Sequence, residues 1–149
     1  MGLLLANPCP NAHRLTTTAP LTKEHPAVDF ALTEEQSAIF DMAQAFGQDH
    51  IAPYARVWDA EGTIPKGLWL ELASLGFGGL YISEENGGAG LNRLDAILVF
   101  EALSRSCASV AALLSIHNMC ASMIEICGSM ALKDRILSQA VSMKMLLSH

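Results

Sequence analysis

Charged side chains are scarce in this sequence: they make up 16% of its 149 residues, whereas hydrophobic residues make up 51%. The nine lysines and arginines are scattered and form no basic patch with interleaved aromatic residues, which excludes a nucleic-acid-binding surface. The formal net charge is −6. A chain of this length suffices for one domain with its own core. The high apolar content indicates that part of its surface is covered by another structure.

The four cysteines lack the C-x-x-C spacing that is typical of zinc sites and thiol redox sites. Three of them, Cys107, Cys120 and Cys127, fall in one apolar stretch, which indicates buried thiols in a reducing, intracellular setting. Cys120 and Cys127 lie two turns apart on one helix face, with His117 one turn before Cys120, so a metal site is an alternative, but it would need a fourth ligand. We expect no metal site.

The glycine-rich segments 76–79 and 87–90 do not complete the G-x-G-x-x-G fingerprint of dinucleotide-binding proteins, because Tyr81 and Arg93 stand where the last glycine is required. Phosphate binding by the second segment stays an alternative, but a structural turn before a helix is the default interpretation. Residues 78–82 form the only strand-like run, which is too short to make a sheet alone.

Acidic residues are absent from residues 1–23, and this segment contains three prolines and a single arginine, Arg14. The prolines exclude a long helix, and the acid-free, hydroxyl-rich composition resembles the end of an organellar transit peptide. We therefore predict that residues 1–29 form a flexible leader, with a transit-peptide remnant as one interpretation.

The longest apolar stretch covers residues 107–128, with Glu125 as its only carboxylate and no lysine or arginine. Its length would suit a membrane span, but His117, Asn118 and Glu125 argue against one, and no basic cluster flanks it. We predict the buried central helix of a helical domain, ending at Gly128 as a left-handed cap. Glu125 is interpreted as a helix-end carboxylate rather than a general base.

Capping residues and helical spacing predict further helices around this central one. The first begins at Thr33, whose capping box is completed by Gln36, and Pro53 introduces either a kink or a second short helix. A further helix starts at Pro65 and is closed by Gly76. The next is capped by Asn92, and because it is apolar around most of its circumference, we expect it to be sandwiched between neighbours. A weaker amphipathic helix follows over 131–141.

Six short motifs carry a resemblance to a known family: LTEEQ at 32–36, IAP at 51–53, LGFGG at 75–79, GGAGL at 87–91, FEAL at 100–103 and SIHNMCA at 115–121. In order and spacing they resemble the acyl-CoA dehydrogenase family, and within it the branched short-chain members. The resemblance covers residues 30–143.

This resemblance implies the fold class. Family members have an N-terminal helical domain, a middle β domain and a C-terminal four-helix domain. The chain is expected to be all-α, namely the N-terminal helical bundle without the other two domains. Residues 30–143 would form that bundle, and residues 144–149 a divergent, truncated tail, because the family continues there into a β segment that touches the flavin.

The resemblance also implies a reaction. In the family, a glutamate of the C-terminal domain removes the α-proton of an acyl-CoA thioester while a hydride passes to FAD, and electron-transferring flavoprotein receives the electrons. Because the corresponding domains are lacking, we expect no catalytic residue and no cofactor-binding residue in this chain, and no FAD held by it alone. The family setting would be the mitochondrial matrix, with a homo-oligomer as one expectation.

By position, the start of the central helix would form the wall of the acyl pocket, at Ala111, Ala112, Ser115 and Ile116. Plain helix packing explains such small residues equally well, so both interpretations stay open. Two functions follow. The chain is either the N-terminal part of a flavin-dependent acyl-CoA dehydrogenase, inactive by itself, or a non-catalytic helical module that binds a homologous subunit or another partner.

Overall fold

In the computed structural model, residues 31–148 are described, so the predicted leader at 1–29 lies outside the described residues. The described part of the chain contains six α-helices and no strand. The helices are α1 (Glu34–Phe46), α2 (Ala55–Glu61), α3 (Lys66–Ser74), α4 (Arg93–Ser104), α5 (Ala108–Cys127) and α6 (Met130–Val141). The predicted all-α fold is confirmed.

The predicted start of α1 is confirmed by its capping box. The backbone amide of Gln36 donates to Thr33 Oγ1, and the backbone amide of Thr33 donates to Gln36 Oε1, each at 3.1 Å. Both donors would otherwise be left unpaired at the start of the helix. Gln36 Nε2 also donates to Asp95 Oδ1 at 2.9 Å. The cap therefore also joins α1 to α4, against which α1 packs.

The chain around Pro53 forms a separate short helix, which was one of the two predicted alternatives. A π-helical turn, Gly47–Ile51, follows α1, and α2 then begins at Ala55. Proline provides no amide hydrogen, so a regular helix cannot continue through it. Gly62, with φ +64°, ends α2 in the left-handed conformation that glycine adopts without strain.

The strand-like run at 78–82 is not a strand. After α3, Gly76 at φ +82° ends the helix as predicted, and the chain enters a 3₁₀ turn, Phe77–Gly79. No neighbouring strand pairs with this run in the described part of the chain. Instead, Asn118 on α5 binds its backbone: Leu80 N donates to Asn118 Oδ1 at 2.7 Å, and Asn118 Nδ2 donates to Phe77 O at 2.9 Å.

The inner face of α5 forms the centre of the fold, since α5 packs against α4, α6 and the 3₁₀ turn. Its fully buried residues include Val110, Leu114, His117 and Asn118. Of the described helices, α5 alone is long and apolar enough to cross a membrane, and 44% of its most apolar window is buried. This packing supports the predicted core helix.

The prediction that α4 is sandwiched between neighbours is confirmed, since α4 packs against both α1 and α5. Neither α4 nor α5 is covered on every side, however: Leu94 and Ile97 on α4 are 57% and 54% exposed, and Ile126 on α5 is 63% exposed. The predicted cap at the end of α5 is wrong. Gly128 is not a left-handed cap: its backbone is extended, with φ −72° and ψ 149°. A glycine is still required there, since a Cβ would collide with the Ile124 carbonyl oxygen.

The core has two parts. The larger cluster lies among α1, α3, α4 and the first half of α5. The smaller cluster joins α5 to α6 through Ile82, Ala121, Leu137 and Ala140, and Leu147 packs on it from beyond the last helix. The predicted amphipathic α6 therefore has its apolar face inward, with Leu137 only 3% exposed.

Candidate functional site

A shallow groove of about 430 Å³ runs along the seam between α4 and α5. The residues that line it are Ile97, Phe100, Glu101, Ser104, Ala108, Ala111, Ala112 and Ser115. Three of the four predicted wall residues, Ala111, Ala112 and Ser115, therefore lie together in one concave surface. The fourth, Ile116, is half-buried and is not part of the lining.

The side chains that line the α5 side of the groove are small. Ala111 is 6% exposed and forms the floor, while Ala112 is exposed beside it. A side chain of one carbon leaves space that a larger residue would fill, so the volume at these two positions sets the depth of the groove. Such a surface can hold a small apolar group in contact with helix backbone and Cβ atoms.

Phe100 forms the opposite wall, and an aromatic stack holds it in place. The Tyr81 ring meets Phe100 edge to face, with centroids 6.3 Å apart, and the Arg93 guanidinium lies 3.8 Å from the Tyr81 ring centroid. Arg93 Nη2 also donates to Ser122 Oγ on α5 at 3.3 Å. Sequence reasoning missed this support, because helical spacing shows that Phe100 lies on an apolar face but not which partner it meets.

The rim of the groove is charged on one side. Glu101 Oε1 pairs with Arg105 Nη2 at 2.8 Å, and both side chains are about half exposed. Glu101 is the only carboxylate in the lining, and its Oε1 is engaged by Arg105. The groove can therefore bind and position a group.

Glu125 has a structural role, in line with its interpretation as a helix-end carboxylate. Its Oε1 accepts hydrogen bonds from Ser83 N at 3.0 Å, Ser83 Oγ at 2.8 Å and Asn86 Nδ2 at 2.8 Å. Burial opposes ionisation, but the hydrogen bonds from Asn86 and Ser83 outweigh it and hold the pKa of Glu125 below its ordinary value. A weakened base fixed to a loop is poorly suited to proton abstraction.

The glycine-rich loop is a structural turn and does not fit a flavin phosphate. The backbone amides of residues 88–91 already donate to carbonyl oxygens of residues 79–83, at 2.8 to 3.0 Å, so they cannot form an anion-binding cradle. Gly88 is needed for packing, because a Cβ there would collide with Ile82. The described residues of this loop therefore provide no phosphate site for FAD.

A larger cavity, of about 730 Å³, lies between α2 and the start of α5. Trp58 and Trp69 supply its aromatic walls, Cys107 and Leu113 line the α5 side, and Leu146 contributes from beyond α6. This cavity was not predicted. It brings together residues that are up to 91 positions apart, from Ala55 to Leu146, which no local sequence pattern shows.

The three candidate metal ligands on α5, His117, Cys120 and Cys127, differ in burial. His117 is 1% and Cys120 8% exposed, whereas Cys127 is exposed. Within residues 31–148 there is no cluster of three or more histidine, cysteine or acidic residues that could hold a metal ion. His117 instead binds backbone: its Nε2 lies 3.1 Å from both Gly78 O and Ala140 O, and Leu147 N donates to its Nδ1 at 3.1 Å.

Comparisons with known proteins point to one family. The family model described as acyl-CoA dehydrogenase, N-terminal domain, matches residues 33–144. The mitochondrial isobutyryl-CoA dehydrogenase of Dictyostelium discoideum is 42% identical over 124 residues, which cover 83% of this chain and 30% of that protein. Its Bos taurus counterpart is 38% identical over 118 residues, with coverages of 79% and 28%. The chain thus spans less than a third of these relatives.

Solved structures agree. The structure of butyryl-CoA dehydrogenase from Megasphaera elsdenii matches with a TM-score of 0.72 and 36% identity, over 80% of this chain and 32% of that one. The structure of PigA with FAD and proline matches with a TM-score of 0.73 and 30% identity, over the same shares of the two chains.

Proposed function

Because this chain belongs to the acyl-CoA dehydrogenase family, whose N-terminal domain covers residues 33–144, we propose that it is the N-terminal part of an FAD-dependent enzyme. The enzyme would introduce a double bond between the α and β carbons of a short or branched acyl-CoA. The similarity to two isobutyryl-CoA dehydrogenases favours isobutyryl-CoA, an intermediate of valine breakdown, as the substrate. The resemblance stated from the sequence motifs is confirmed at the level of the family.

The groove between α4 and α5 carries the proposal for what this domain does. Its small side chains, Ala111, Ala112 and Ser115, would form one wall of the acyl pocket, with Phe100 opposite them. In a groove of this kind each added methylene of ligand or protein changes binding by about 1–3 kcal/mol. The domain would therefore select acyl groups by volume.

The chemical step would require the rest of the enzyme. Hydride acceptance is the chemistry that FAD supplies, and the glycine-rich loop of this chain, whose amides are already paired, offers no place for its phosphates. Glu125 is bound to Ser83 and Asn86, and Glu101 is paired with Arg105. We therefore propose that the chain alone holds no FAD, has no catalytic residue and does not turn over substrate.

A chimera tests this assignment. Residues 31–143 would replace the matching segment of the Dictyostelium relative, whose own middle and C-terminal parts would be kept. We expect flavin absorbance and isobutyryl-CoA oxidation from the chimera but neither from the chain alone. Ala112→Leu in the chimera should lower kcat/KM for isobutyryl-CoA by about tenfold or more, because the added carbons fill the groove.

Ala131→Leu is the matched control, since Ala131 is also an exposed helical alanine but lies on α6, outside the groove. It should leave kcat/KM unchanged. Equal effects of the two leucine variants would refute the acyl-wall assignment. Flavin that co-purifies in equimolar amount with the chain alone would refute the claim that the cofactor site is elsewhere.

The partners and location follow from the same proposal. The complete enzyme would bind acyl-CoA and pass electrons to electron-transferring flavoprotein, a class that also appears among the matched structures. Both isobutyryl-CoA relatives are named mitochondrial, which favours the mitochondrial matrix. A fluorescent fusion of the complete protein that gathers in another compartment would contradict that location.

A second candidate function rests on the exposed apolar side chains at the end of α5 and the start of α6. Met123, Ile126 and Met130 are 57%, 63% and 70% exposed, and methionine-rich surfaces adapt readily to partner helices. The chain would then act as a non-catalytic module that associates with a homologous subunit. Sedimentation as a monomer at every concentration, without capture of a full-length homologue, would rule this function out.

A further inference from the structure

The segment that follows α6 is tied to the interior through one buried side chain. The backbone turns back at Met143, which has φ +50°, a left-handed conformation that is strained for a residue with a side chain. Met143 is nevertheless 4% exposed and packs in the core. A few residues later, Leu147 N donates to His117 Nδ1. The strained turn is thus held by the packing of Met143 itself and by the hydrogen bond at Leu147.

The hydrogen bonds of His117 fix its tautomer. A backbone amide can only donate, so Nδ1 must accept from Leu147 N and carries no proton. Nε2 then carries the proton and donates it between two acceptors, Gly78 O and Ala140 O, each 3.1 Å away. A single neutral imidazole therefore joins the 3₁₀ turn, α6 and the exit segment.

Gly78 makes this close approach possible. A Cβ at this position would collide with the Val141 carbonyl oxygen and lie 2.7 Å from Met143 Cγ. The absent side chain thus leaves room for the end of α6 and for the turn at Met143, directly beside the imidazole. The binding site for the exit segment is therefore part of the fold and not a chance surface contact.

We propose that His117 is a proton-sensitive clasp, whose neutral Nε2–H tautomer docks the exit segment 143–148 onto the helical domain and whose protonation releases it. A second proton on the ring would reside on Nδ1, where it would oppose the Leu147 N–H and abolish that hydrogen bond. Because Leu146 also lines the 730 Å³ cavity beside Trp58 and Trp69, release of the segment would remove one wall of that cavity.

No charged neighbour offsets this effect. The 3₁₀ turn Phe77–Gly79 has no ionisable side chain. The charged residues of the elements packed against His117 are Glu125 on α5, Lys133, Asp134 and Arg135 on α6, and Lys144 of the exit segment. Cys120 and Cys127 are the other titratable groups on α5. None of them contributes to the pKa of His117, which burial lowers and which the Gly78 and Ala140 carbonyls partly restore.

The sign of the pH dependence follows from that lowered pKa. A released His117 takes up a proton near its ordinary pKa of about 6.5, whereas the docked imidazole resists protonation to lower pH. The released state therefore binds more protons between these two values, and docking weakens as the pH falls through that window. At pH values above this window, the hydrogen bond from Leu147 N to His117 Nδ1 is fully formed.

The test is an NMR titration of the full ¹⁵N-labelled chain. The imidazole nitrogen shifts would report the tautomer of His117, and hydrogen exchange would report the protection of the Leu147 amide, with the buried Val99 on α4 as the reference. We expect an unprotonated Nδ1 at neutral pH. Below about pH 6.5, Leu147 protection should fall by up to about tenfold per pH unit relative to Val99.

Two variants separate the roles of the ring nitrogens. In His117→Asn, the amide oxygen can occupy the position of Nδ1 and accept from Leu147 N, but it cannot titrate, so protection should persist and lose its pH dependence. In His117→Gln, the acceptor at Nδ1 is lost, and Leu147 should be unprotected at every pH while Val99 stays protected. His50→Gln is the control, because His50 is exposed and pairs with Glu71 at the surface.

Several results would overturn the proposal. They are a proton on Nδ1 at neutral pH, protection of Leu147 that does not change with pH in the unmodified chain, and loss of the pH dependence in His50→Gln. Parallel loss of protection at Leu147 and Val99 would also overturn it, because it would show global unfolding instead of release. If His117→Gln fails to fold, the tautomer and the asparagine variant still decide between these outcomes.

Discussion

The two faces of α5 differ in which kind of side chain is buried and which is exposed. The inner face contains polar side chains in a fully enclosed setting: Asn118 is 0% exposed and His117 1% exposed, and every polar atom of both finds a backbone partner. The outer face presents small and apolar residues, such as Ala112 and Ile126, to solvent. The enclosed polar residues bind the backbone of other segments and so specify how the chain folds. The exposed apolar residues remain available for contact with another molecule.

The largest effect is expected where the inner face binds backbone. Asn118→Ala would leave Leu80 N and Phe77 O buried without partners, and each such group costs about 1–3 kcal/mol. With the cavity left behind, the free energy of unfolding should fall by about 3–5 kcal/mol, measured by urea denaturation followed by circular dichroism.

Ser115→Ala is the matched truncation on the groove side of α5. The Ser115 hydroxyl donates only to Ala112 O of its own helix, so its loss should change stability by no more than about 0.5 kcal/mol. If both truncations cost the same, the distinction between the two faces of α5 would not hold.

A smaller effect is expected at the glycine next to the inner face. In Gly78→Ala the new methyl would meet the Val141 carbonyl and Met143, and overpacking of this kind costs about 1–3 kcal/mol. Gly67→Ala is the control: its Cβ would have no neighbour within 4 Å, and alanine in a helix should raise stability by about 0.5 kcal/mol. The measurement is the midpoint of thermal unfolding, and midpoints that shift in the same direction for both variants would contradict this prediction.

The smallest effect on stability is expected on the outer face. Ile126→Glu should change the free energy of unfolding by less than about 0.5 kcal/mol, because the side chain is already mostly exposed. It should nevertheless reduce self-association in sedimentation velocity runs, because the substitution places a charge on the exposed apolar surface. Gln139→Glu, on an exposed part of α6, adds the same charge elsewhere and should leave association unchanged. Equal behaviour of the two variants would argue that the outer face makes no contacts.

The sequence by itself determined the all-α class, the family and most helix ends. Capping is local: Thr33 with Gln36, and Asn92 with Asp95, satisfy amides three residues away, so the pattern can be read without knowing the fold. The glycine-rich loop forms the predicted turn, with positive φ at Gly87 and Gly90, because tolerance of positive φ is a property of glycine itself. Motif order and spacing identified the family, because they depend on chain positions alone.

Tertiary structure alone decided the rest. The run 78–82 has strand-like residues, but its carbonyl oxygens accept from amides of the glycine-rich loop, and the Leu80 amide donates to Asn118, 38 positions away. Gly128 is the residue type of a left-handed cap, yet its backbone is extended and its amide donates to Ile124 O. The groove, the exposed faces of α4 and α5 and the hydrogen bonds of His117 likewise depend on which helices meet. Composition gives the apolar character of a helix, but only packing decides which side is covered.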